Sequence, residues 1–385
     1  MLTRLYVDNF RALVNTDLPL ARRSLLMGSN GTGKSTFGDV LIRLQWMLLG
    51  QAKTDDAFTV DTLTRWQSAP QQRIEMDVTG RPAGAYHYEI VIEHRHGASA
   101  ELPRTRIRRE ILTLDSRPLF HFEDGIVHLY ADDYSPGPEY PFDSGRSALG
   151  TIAPRNDNQK LTWFVRWLQT LAVLKPNPPA MQDLVEGDQF MLGADATNFA
   201  AWYHAISAAD KRRDRTLHDA LVDVLPGFEA LNFEPAGPNR WLLRADFRGN
   251  GQKLMLRFRE LSDGQRALIL LYSVLYFLLQ EGRTVFLDEP DNFVALNEIQ
   301  PWLLSATDIV DGGSGQLVLL SHHPEILNEW AVSHGLVTER DGCGPVRIRK
   351  FAPIPGVELT PAETIARGWS NQIGSEAAVA GIAQQ

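Results

Sequence analysis

The strongest constraint on this fold is a glycine-rich motif of the form G-x-x-x-x-G-K-[ST], formed by Gly28, Ser29, Asn30, Gly31, Thr32, Gly33, Lys34 and Ser35. A short apolar run, 24–27, precedes it and predicts a strand. Apolar residues at i, i+3, i+4 and i+7 then predict a helix from Lys34 to Gly50. In such a strand–loop–helix unit, backbone N–H groups and the helix N-terminus hold phosphate oxygens. We therefore expect an α/β fold built around a phosphate-binding loop.

Side chains at the end of this motif supply the remaining phosphate chemistry. Lys34 is expected to reach the β- and γ-phosphates, and the Ser35 hydroxyl to ligate Mg²⁺. Thr36 completes the predicted nucleotide-binding set. The alternative is a glycine-rich turn that matches by chance, and the flanking strand and helix argue against it.

Composition narrows the class of protein. The chain has 385 residues, which suggests two domains or one domain with a large insertion. The single cysteine, Cys343, excludes a disulfide framework and a multi-cysteine metal site. A net charge of −9 disfavours nucleic-acid binding by the whole surface. No apolar run is long enough to cross a bilayer and no signal-peptide pattern opens the chain, so we expect a cytoplasmic protein without a membrane partner.

An apolar run that ends in two acids is the second motif. Residues 284–287 predict a buried strand, followed by Asp288 and Glu289. Asp288 is expected to hold the Mg²⁺ shell, and Glu289 to orient and deprotonate an attacking water. Two solvated acids at a strand end are the alternative, which the phosphate loop makes improbable.

Two further motifs follow the same logic. The predicted strand 317–320 leads through Ser321 to His322, which is expected to contact the γ-phosphate or the water. We favour His322 over His323 because it directly follows Ser321, although a structural histidine is the common case. Ser262 and Gly264 open a long apolar helix and form a second anion-binding helix start, with a plain N-cap as the alternative.

In this order the motifs resemble those of ABC-type P-loop ATPases, and most closely the branch that contains SMC, Rad50, RecF and the OLD-type predicted ATPases (AAA-15 and AAA-21). Asn9-Phe10-Arg11 is similar to the opening of that branch. The wide separation of Lys34 and Asp288 implies a large insertion between the halves of the nucleotide domain.

The resemblance implies a fold with a mixed sheet, an antiparallel β lobe and a helical insertion. We assign 1–50 plus 255–355 to the nucleotide-binding core, 51–254 to the inserted lobe and 356–385 to a tail. It also implies Mg²⁺-dependent ATP hydrolysis by a head-to-tail homodimer, in which one copy contacts the γ-phosphate held by the other through Ser262, Gly264 and Gln265. DNA or a companion effector protein in DNA maintenance or phage defence is the implied partner.

This chain departs from the family pattern in two places. Asp263 replaces the commoner first glycine of the signature, and the glutamine loop has no clear counterpart. Gln159 is a candidate for that loop, whereas Gln45 falls on the first helix and is expected to be structural. An ATP-gated scaffold with little turnover therefore stays an alternative, and a transporter ATPase subunit is a weaker one.

The middle of the chain limits what the insertion can be. Twelve prolines between residues 103 and 238 exclude a long coiled coil. The segment after His322 is too short for the nuclease domain of OLD-type proteins, so no nuclease is expected. Alternation places Arg104, Arg106 and Arg108 on one face of a strand, which we interpret as a solvated face in preference to a phosphate-binding one.

Overall fold

The computed structural model describes residues 1–80, 84–95, 104–354, 356 and 358–367. Most of the predicted tail, 356–385, lies outside the described residues. The strands of the described part are, in chain order, β1 (Leu2–Asp8), β2 (Thr16–Pro19), β3 (Arg23–Met27), β4 (Gln71–Gly80), β5 (Gly84–Arg95), β6 (Arg104–Leu114), β7 (Arg117–Glu123), β8 (Ile126–Tyr130), β9 (Pro136–Pro141), β10 (Ala172–Leu174), β11 (Leu184–Val185), β12 (Phe228–Gly237), β13 (Arg240–Gly249), β14 (Gln252–Arg257), β15 (Thr284–Asp288), β16 (Gln316–Leu320), β17 (Gly335–Arg340) and β18 (Val346–Lys350).

Helices alternate with these strands, which confirms the predicted α/β class. The α-helices of the described part are α1 (Lys34–Leu48), α2 (Thr54–Ala57), α3 (Gln159–Thr170), α4 (Phe199–Ala209), α5 (Lys211–Val224), α6 (Asp263–Val274), α7 (Leu296–Asp311), α8 (Pro324–His334) and α9 (Pro361–Ala366). Helix α6 continues as a π-helix through Leu275–Leu279.

A six-stranded mixed sheet carries the phosphate loop. Its order is β10-β15-β16-β3-β17-β18, and all its pairs are parallel except β17–β18. Strands β15 and β16 are buried along their whole length, as expected for parallel strands covered on both faces. The carboxyl ends of β10, β15, β16 and β3 meet at one edge, where open α/β sheets bind ligands. We call it the carboxyl edge.

Successive side chains of this sheet face two different apolar cores. On β3, Leu25 and Met27 join a cluster that contains α4, α6, α7 and α8. Leu26, between them, joins a second cluster with α1, α3 and the antiparallel sheet. Strand β16 alternates in the same way. The carboxyl edge is thus fixed from both faces, because each strand is packed on two sides.

The remaining strands form antiparallel sheets. The larger has the order β2-β1-β4-β5-β6-β7-β8-β9, and the smaller joins β11, β12, β13 and β14. The sequence Gly249-Asn250-Gly251 predicts a hairpin, and the structure has it as β13–β14, turned by Asn250 and Gly251, which both have positive φ. Strand pairing crosses the predicted domain boundaries twice. Strands β1 and β2 of the predicted core join the large antiparallel sheet, and β10 of the predicted insertion joins the six-stranded mixed sheet that carries the phosphate loop.

A carboxyl group buried in the large sheet makes stability depend on pH. Glu110 is completely buried, and its Oε1 accepts hydrogen bonds from the Tyr88 hydroxyl (3.0 Å) and the Ser147 hydroxyl (2.7 Å). Its Oε2 has no hydrogen-bond partner. Burial raises the pKa of Glu110 to about 7. The two hydrogen bonds lower the pKa, but their effect is smaller than that of burial. The folded state therefore binds a proton that the unfolded state releases near pH 4.5.

We expect Glu110→Gln to remove this pH dependence. In the wild type, ionisation of Glu110 should lower the free energy of unfolding by roughly 3 kcal/mol as pH rises from about 4.5 to about 7. Above pH 7 its contribution should not change further. The measurement is Tm against pH for wild type, Glu110→Gln and the exposed control Glu139→Gln. Parallel curves for wild type and Glu110→Gln would contradict the assignment.

Candidate functional site

The loop between β3 and α1 can only be built with glycine at two positions. Gly28 has φ +147°, and a Cβ there would lie 2.3 Å from the Thr338 carbonyl oxygen. Gly33 has φ +93°, precedes α1 and offers no side-chain cap. The first N–H groups of α1 therefore have no side-chain acceptor at this cap and can receive an anion.

Lys34 lies folded over the loop. Its Nζ donates to the carbonyl oxygens of Gly28 (2.7 Å) and Ser29 (3.2 Å), and only 6% of the residue is exposed. Burial lowers the pKa of Lys34, while the carboxylates of Glu289 and Asp288 oppose the shift. A buried ammonium that donates to two carbonyl oxygens is well placed to exchange them for phosphate oxygens.

Asp288 ends β15 at the carboxyl edge. It is buried, its Oδ1 has no hydrogen-bond partner among the residues that the structure describes, and its Oδ2 lies 3.6 Å from the Lys175 Nζ. Burial raises the pKa of Asp288, and the Ser35 hydroxyl and Lys175 ammonium counteract this.

These residues fit a magnesium ion. The buried Asp288 carboxylate, with one unpartnered oxygen among the described residues, and the Ser35 hydroxyl that acts on it are the hard oxygen ligands that Mg²⁺ prefers. Among the described residues no group of three His, Cys, Asp or Glu side chains forms a metal cage. A Mg²⁺ site that uses one carboxylate, one hydroxyl, waters and substrate phosphates needs no such cage.

Glu289 follows in a strained backbone conformation. Its φ is +51°, and its N–H donates to the Leu320 carbonyl oxygen (2.8 Å). Its Oε2 accepts from Asn292 Nδ2 (2.9 Å), and its Oε1 lies 3.9 Å from His322 Nδ1. A left-handed conformation costs a non-glycine residue about 1–3 kcal/mol, and such strain collects at functional sites.

The two histidines after β16 have different surroundings. His322 is exposed and faces Glu289, whereas the His323 Nδ1 accepts from the Glu325 N–H and caps α8. Ser321 is buried and donates to Asp291 Oδ1 (2.7 Å). Of the two histidines, only His322 is therefore directed toward the two acids at the carboxyl edge.

The predicted signature forms the start of α6. The Ser262 hydroxyl accepts from the Gln265 N–H (3.2 Å), and Gln265 Oε1 accepts from the Ser262 N–H (3.0 Å), which completes a capping box. Asp263 pairs with Arg266. Ser262 is exposed and Gly264 is partly exposed, with the Phe293 carbonyl oxygen beside it. The helix start therefore faces outward, and its capping bonds are satisfied within the chain.

A cavity of about 880 Å³ extends from the phosphate loop to an exposed tryptophan. Asn30, Gly31, Gly33, Lys34, Ser35 and Thr36 line one end, together with Glu289. Leu63, Trp66 and Arg340 line the other, and the Arg340 guanidinium lies over the Trp66 ring, 5.6 Å from its centroid. We call this the P-loop cavity. Ser262, Gly264, Gln265 and His322 do not line it.

Trp66, Arg340 and Lys175 were missed at the sequence level. Trp66 and Arg340 lie in unremarkable local sequence far apart in the chain, and only the fold joins them. The candidate Gln159 begins α3 and lines neither the P-loop cavity nor the cleft around Asp288. Gln45 is structural, as expected: its Nε2 donates to the carbonyl oxygens of Leu168 and Leu171.

The sheet order and the phosphate loop define the class of this chain: it has the fold of an SMC-type P-loop ATPase head. It is similar to an SMC head bound to the C-winged helix domain of ScpA, with a TM-score of 0.52 and 11% identity over 91% of this chain and 97% of that chain. The SMC head domain from Thermotoga maritima has a TM-score of 0.46 and 12% identity, over 91% of this chain and 99% of that chain. An SMC head with an extended coiled coil derived from Pyrococcus furiosus has a TM-score of 0.47 and 10% identity, over 96% and 99%.

A family model also matches the chain. The family described as "AAA domain, putative AbiEii toxin, Type IV TA system" matches residues 144–328, a little under half of the chain. The phosphate loop precedes the matched segment. A comparison with curated proteins finds no match. Helical segments in the described part extend at most about five turns, so this head lacks coiled-coil arms there. None of the described helices has the length and apolar character that crossing a membrane requires.

Proposed function

We propose that this chain binds ATP with Mg²⁺ and hydrolyses it, and that two copies assemble head-to-tail around two ATP molecules. The P-loop cavity supports the first part, because six residues of the motif and its helix line it together with Glu289: Asn30, Gly31, Gly33, Lys34, Ser35 and Thr36. Its volume of about 880 Å³ lies in the range of ligand-binding pockets.

The residues of the carboxyl edge divide the chemistry among them. Lys34 and the loop N–H groups hold the phosphates, and Ser35 and Asp288 would hold Mg²⁺, which supplies positive charge at the phosphate oxygens. Glu289 orients a water molecule and accepts its proton, and His322 stabilises the γ-phosphate side of the site. At the far end of the cavity, Trp66 and Arg340 provide a stacking surface for the base.

The position of Ser262 is the observation that carries the dimer. Ser262 and Gly264 form a helix start that is open to solvent and lies outside the P-loop cavity of their own subunit. Phe293, whose carbonyl oxygen lies beside Gly264, is an apolar residue that is 38% exposed, and Leu296, three residues further along the chain, is 54% exposed. An outward anion-binding helix start next to exposed apolar residues is what a second subunit carrying ATP would cover.

Size exclusion with light scattering tests this assembly. Glu289→Gln protein, which should retain ATP, is expected to elute as a monomer without nucleotide and as a dimer with ATP and Mg²⁺. Adding Ser262→Arg should abolish the shift, because a long cation blocks the helix start. Ser135→Arg, on the exposed loop before β9, is the matched control and should leave the shift intact. A monomer with ATP in all variants would exclude the dimer.

An ATP-gated scaffold with little turnover is the second candidate. Asp263, which replaces the usual glycine of the signature, is held by Arg266 at the start of α6. Its carboxylate would oppose a γ-phosphate brought by a second copy. Linear phosphate release over many turnovers would exclude this candidate.

A companion protein is the partner we favour over DNA. The similar SMC head was solved bound to a domain of ScpA. In this chain Arg106 and Arg108 lie 2.7 and 3.8 Å from Glu93 oxygens, so their charges are already partly neutralised. The Arg104 side chain lies outside the described residues. This partial pairing weakens the attraction of these two arginines for a phosphate backbone.

A further inference from the structure

Lys175 occupies a position at the carboxyl edge that no motif assigns. It directly follows β10, which pairs in parallel with β15 so that Leu174 lies opposite Leu287. The next residue on each strand, Lys175 on one and Asp288 on the other, therefore leaves the sheet at the same level. The Lys175 Nζ lies 3.6 Å from Asp288 Oδ2.

The two side chains of this ion pair differ in how freely they can move. The Asp288 side chain is 11% exposed and fixed at the end of a buried strand, whereas the Lys175 side chain is 61% exposed. The Lys175 backbone is anchored, because its N–H donates to the Ala194 carbonyl oxygen (2.6 Å). The ammonium can therefore swing into solvent while its backbone stays in place, and solvent screens the exposed end of the pair.

The charges around Asp288 show what Lys175 contributes. A cleft of about 260 Å³ lies between α1 and β10, lined by Ser35, Asp39, Arg11, Lys175 and Asp288 among others. Arg11 is paired with Asp39 (2.9 Å), so that charge is already balanced. Lys175 thus neutralises the one remaining carboxylate among the lining residues that the structure describes. Without its charge the cleft would be net negative.

We propose that Lys175 is a displaceable counter-ion of Asp288 that lowers the affinity of this site for a divalent cation. Lys175 must release the Asp288 carboxylate before that carboxylate can serve as a ligand. The pair keeps a buried carboxylate neutralised in the nucleotide-free state and makes metal binding depend on the phosphates that arrive with it. This inference rests on the proposed function.

The test measures the affinity for mant-ATP by fluorescence anisotropy at a series of free Mg²⁺ concentrations. In Lys175→Gln protein, the Mg²⁺ concentration at half-maximal effect should fall roughly two- to fivefold, the equivalent of removing an exposed ion pair. Lys175→Arg keeps the charge and should behave as wild type. Lys211→Gln, which removes a lysine paired with Asp214 outside the cleft, should also leave the midpoint unchanged.

The outcomes separate the two proposals. If wild type shows no saturable mant-ATP binding at any Mg²⁺ concentration, the proposed function fails. If binding is saturable but the Lys175→Gln midpoint is unchanged or higher, the function stands and the counter-ion role is wrong. A matching fall in Lys211→Gln would mean that net charge alone is responsible and would also overturn it. A thermal melt checks that each variant is folded.

Discussion

Replacing Glu289 by Gln is expected to slow ATP hydrolysis by about 10²–10⁴-fold, the usual contribution of a general base. The Glu289 carboxylate lies at the carboxyl edge, with His322 and Asn292 beside it. Glu289 also lines the P-loop cavity. Glutamine keeps the shape and the hydrogen bond from Asn292 but cannot accept the proton of a water molecule. ATP binding should therefore survive while turnover is lost.

Steady-state phosphate release and mant-ATP affinity, measured on the same preparation, check this result. Glu329→Gln, an exposed glutamate on α8, is the matched control and should retain wild-type turnover. Turnover in Glu289→Gln within a few-fold of wild type would remove Glu289 from the chemistry. Loss of both turnover and binding would instead indicate that Glu289 supports the fold of the loop.

Replacing Lys34 by Ala is expected to weaken ATP binding by about 100-fold or more. The ammonium provides charge-assisted hydrogen bonds to phosphate, worth about 1.5–3 kcal/mol each. It works from a buried position, where water cannot substitute for it. Trp66→Ala, at the other end of the same cavity, should weaken binding only about five- to tenfold, because it removes stacking and no charge.

Mant-ATP anisotropy measures both variants, and a thermal melt reports whether Lys34→Ala keeps its loop without the bonds to Gly28 and Ser29. Tight binding by a folded Lys34→Ala protein would remove the phosphate-loop assignment. Equal losses in the two variants would show that the phosphates contribute no more than the base.

The sequence predicted those parts of the site whose signals are local. The phosphate loop is flanked by its own strand and helix, and β15 and β16 are apolar runs that end in polar residues. Their side chains meet at the carboxyl edge because parallel strands in one sheet share an orientation. The acidic pair, the phosphate loop and His322 could therefore be placed together without coordinates.

Lys175 could not be found in this way, because the sequence pattern predicts a helix where its strand lies. The helical periodicity of residues 163–174 predicts one continuous helix, yet α3 ends at Thr170 and β10 begins at Ala172. A three-residue strand has too little pattern of its own, and its partner β15 is more than a hundred residues away in the sequence. Tertiary pairing overrode the local preference here.

The antiparallel region shows the same limit. Alternation of apolar and polar residues predicts strands at 74–78, 86–93, 107–114 and 126–130, and these lie within β4, β5, β6 and β8. Proline, glycine, aspartate and asparagine predict a loop over 131–160, whereas strand β9 lies within that range. It is an edge strand, exposed along most of its length, and edge positions are where a sheet accepts proline.

The left-handed backbone conformation of Glu289 links the stability of the fold to the proposed ATP turnover. Glycine would adopt φ +51° without the steric cost that a Cβ brings, so the substitution that relieves the strain of this turn is also one that removes the carboxylate. Glutamate at this position therefore makes the turn less stable and places a carboxylate at the carboxyl edge.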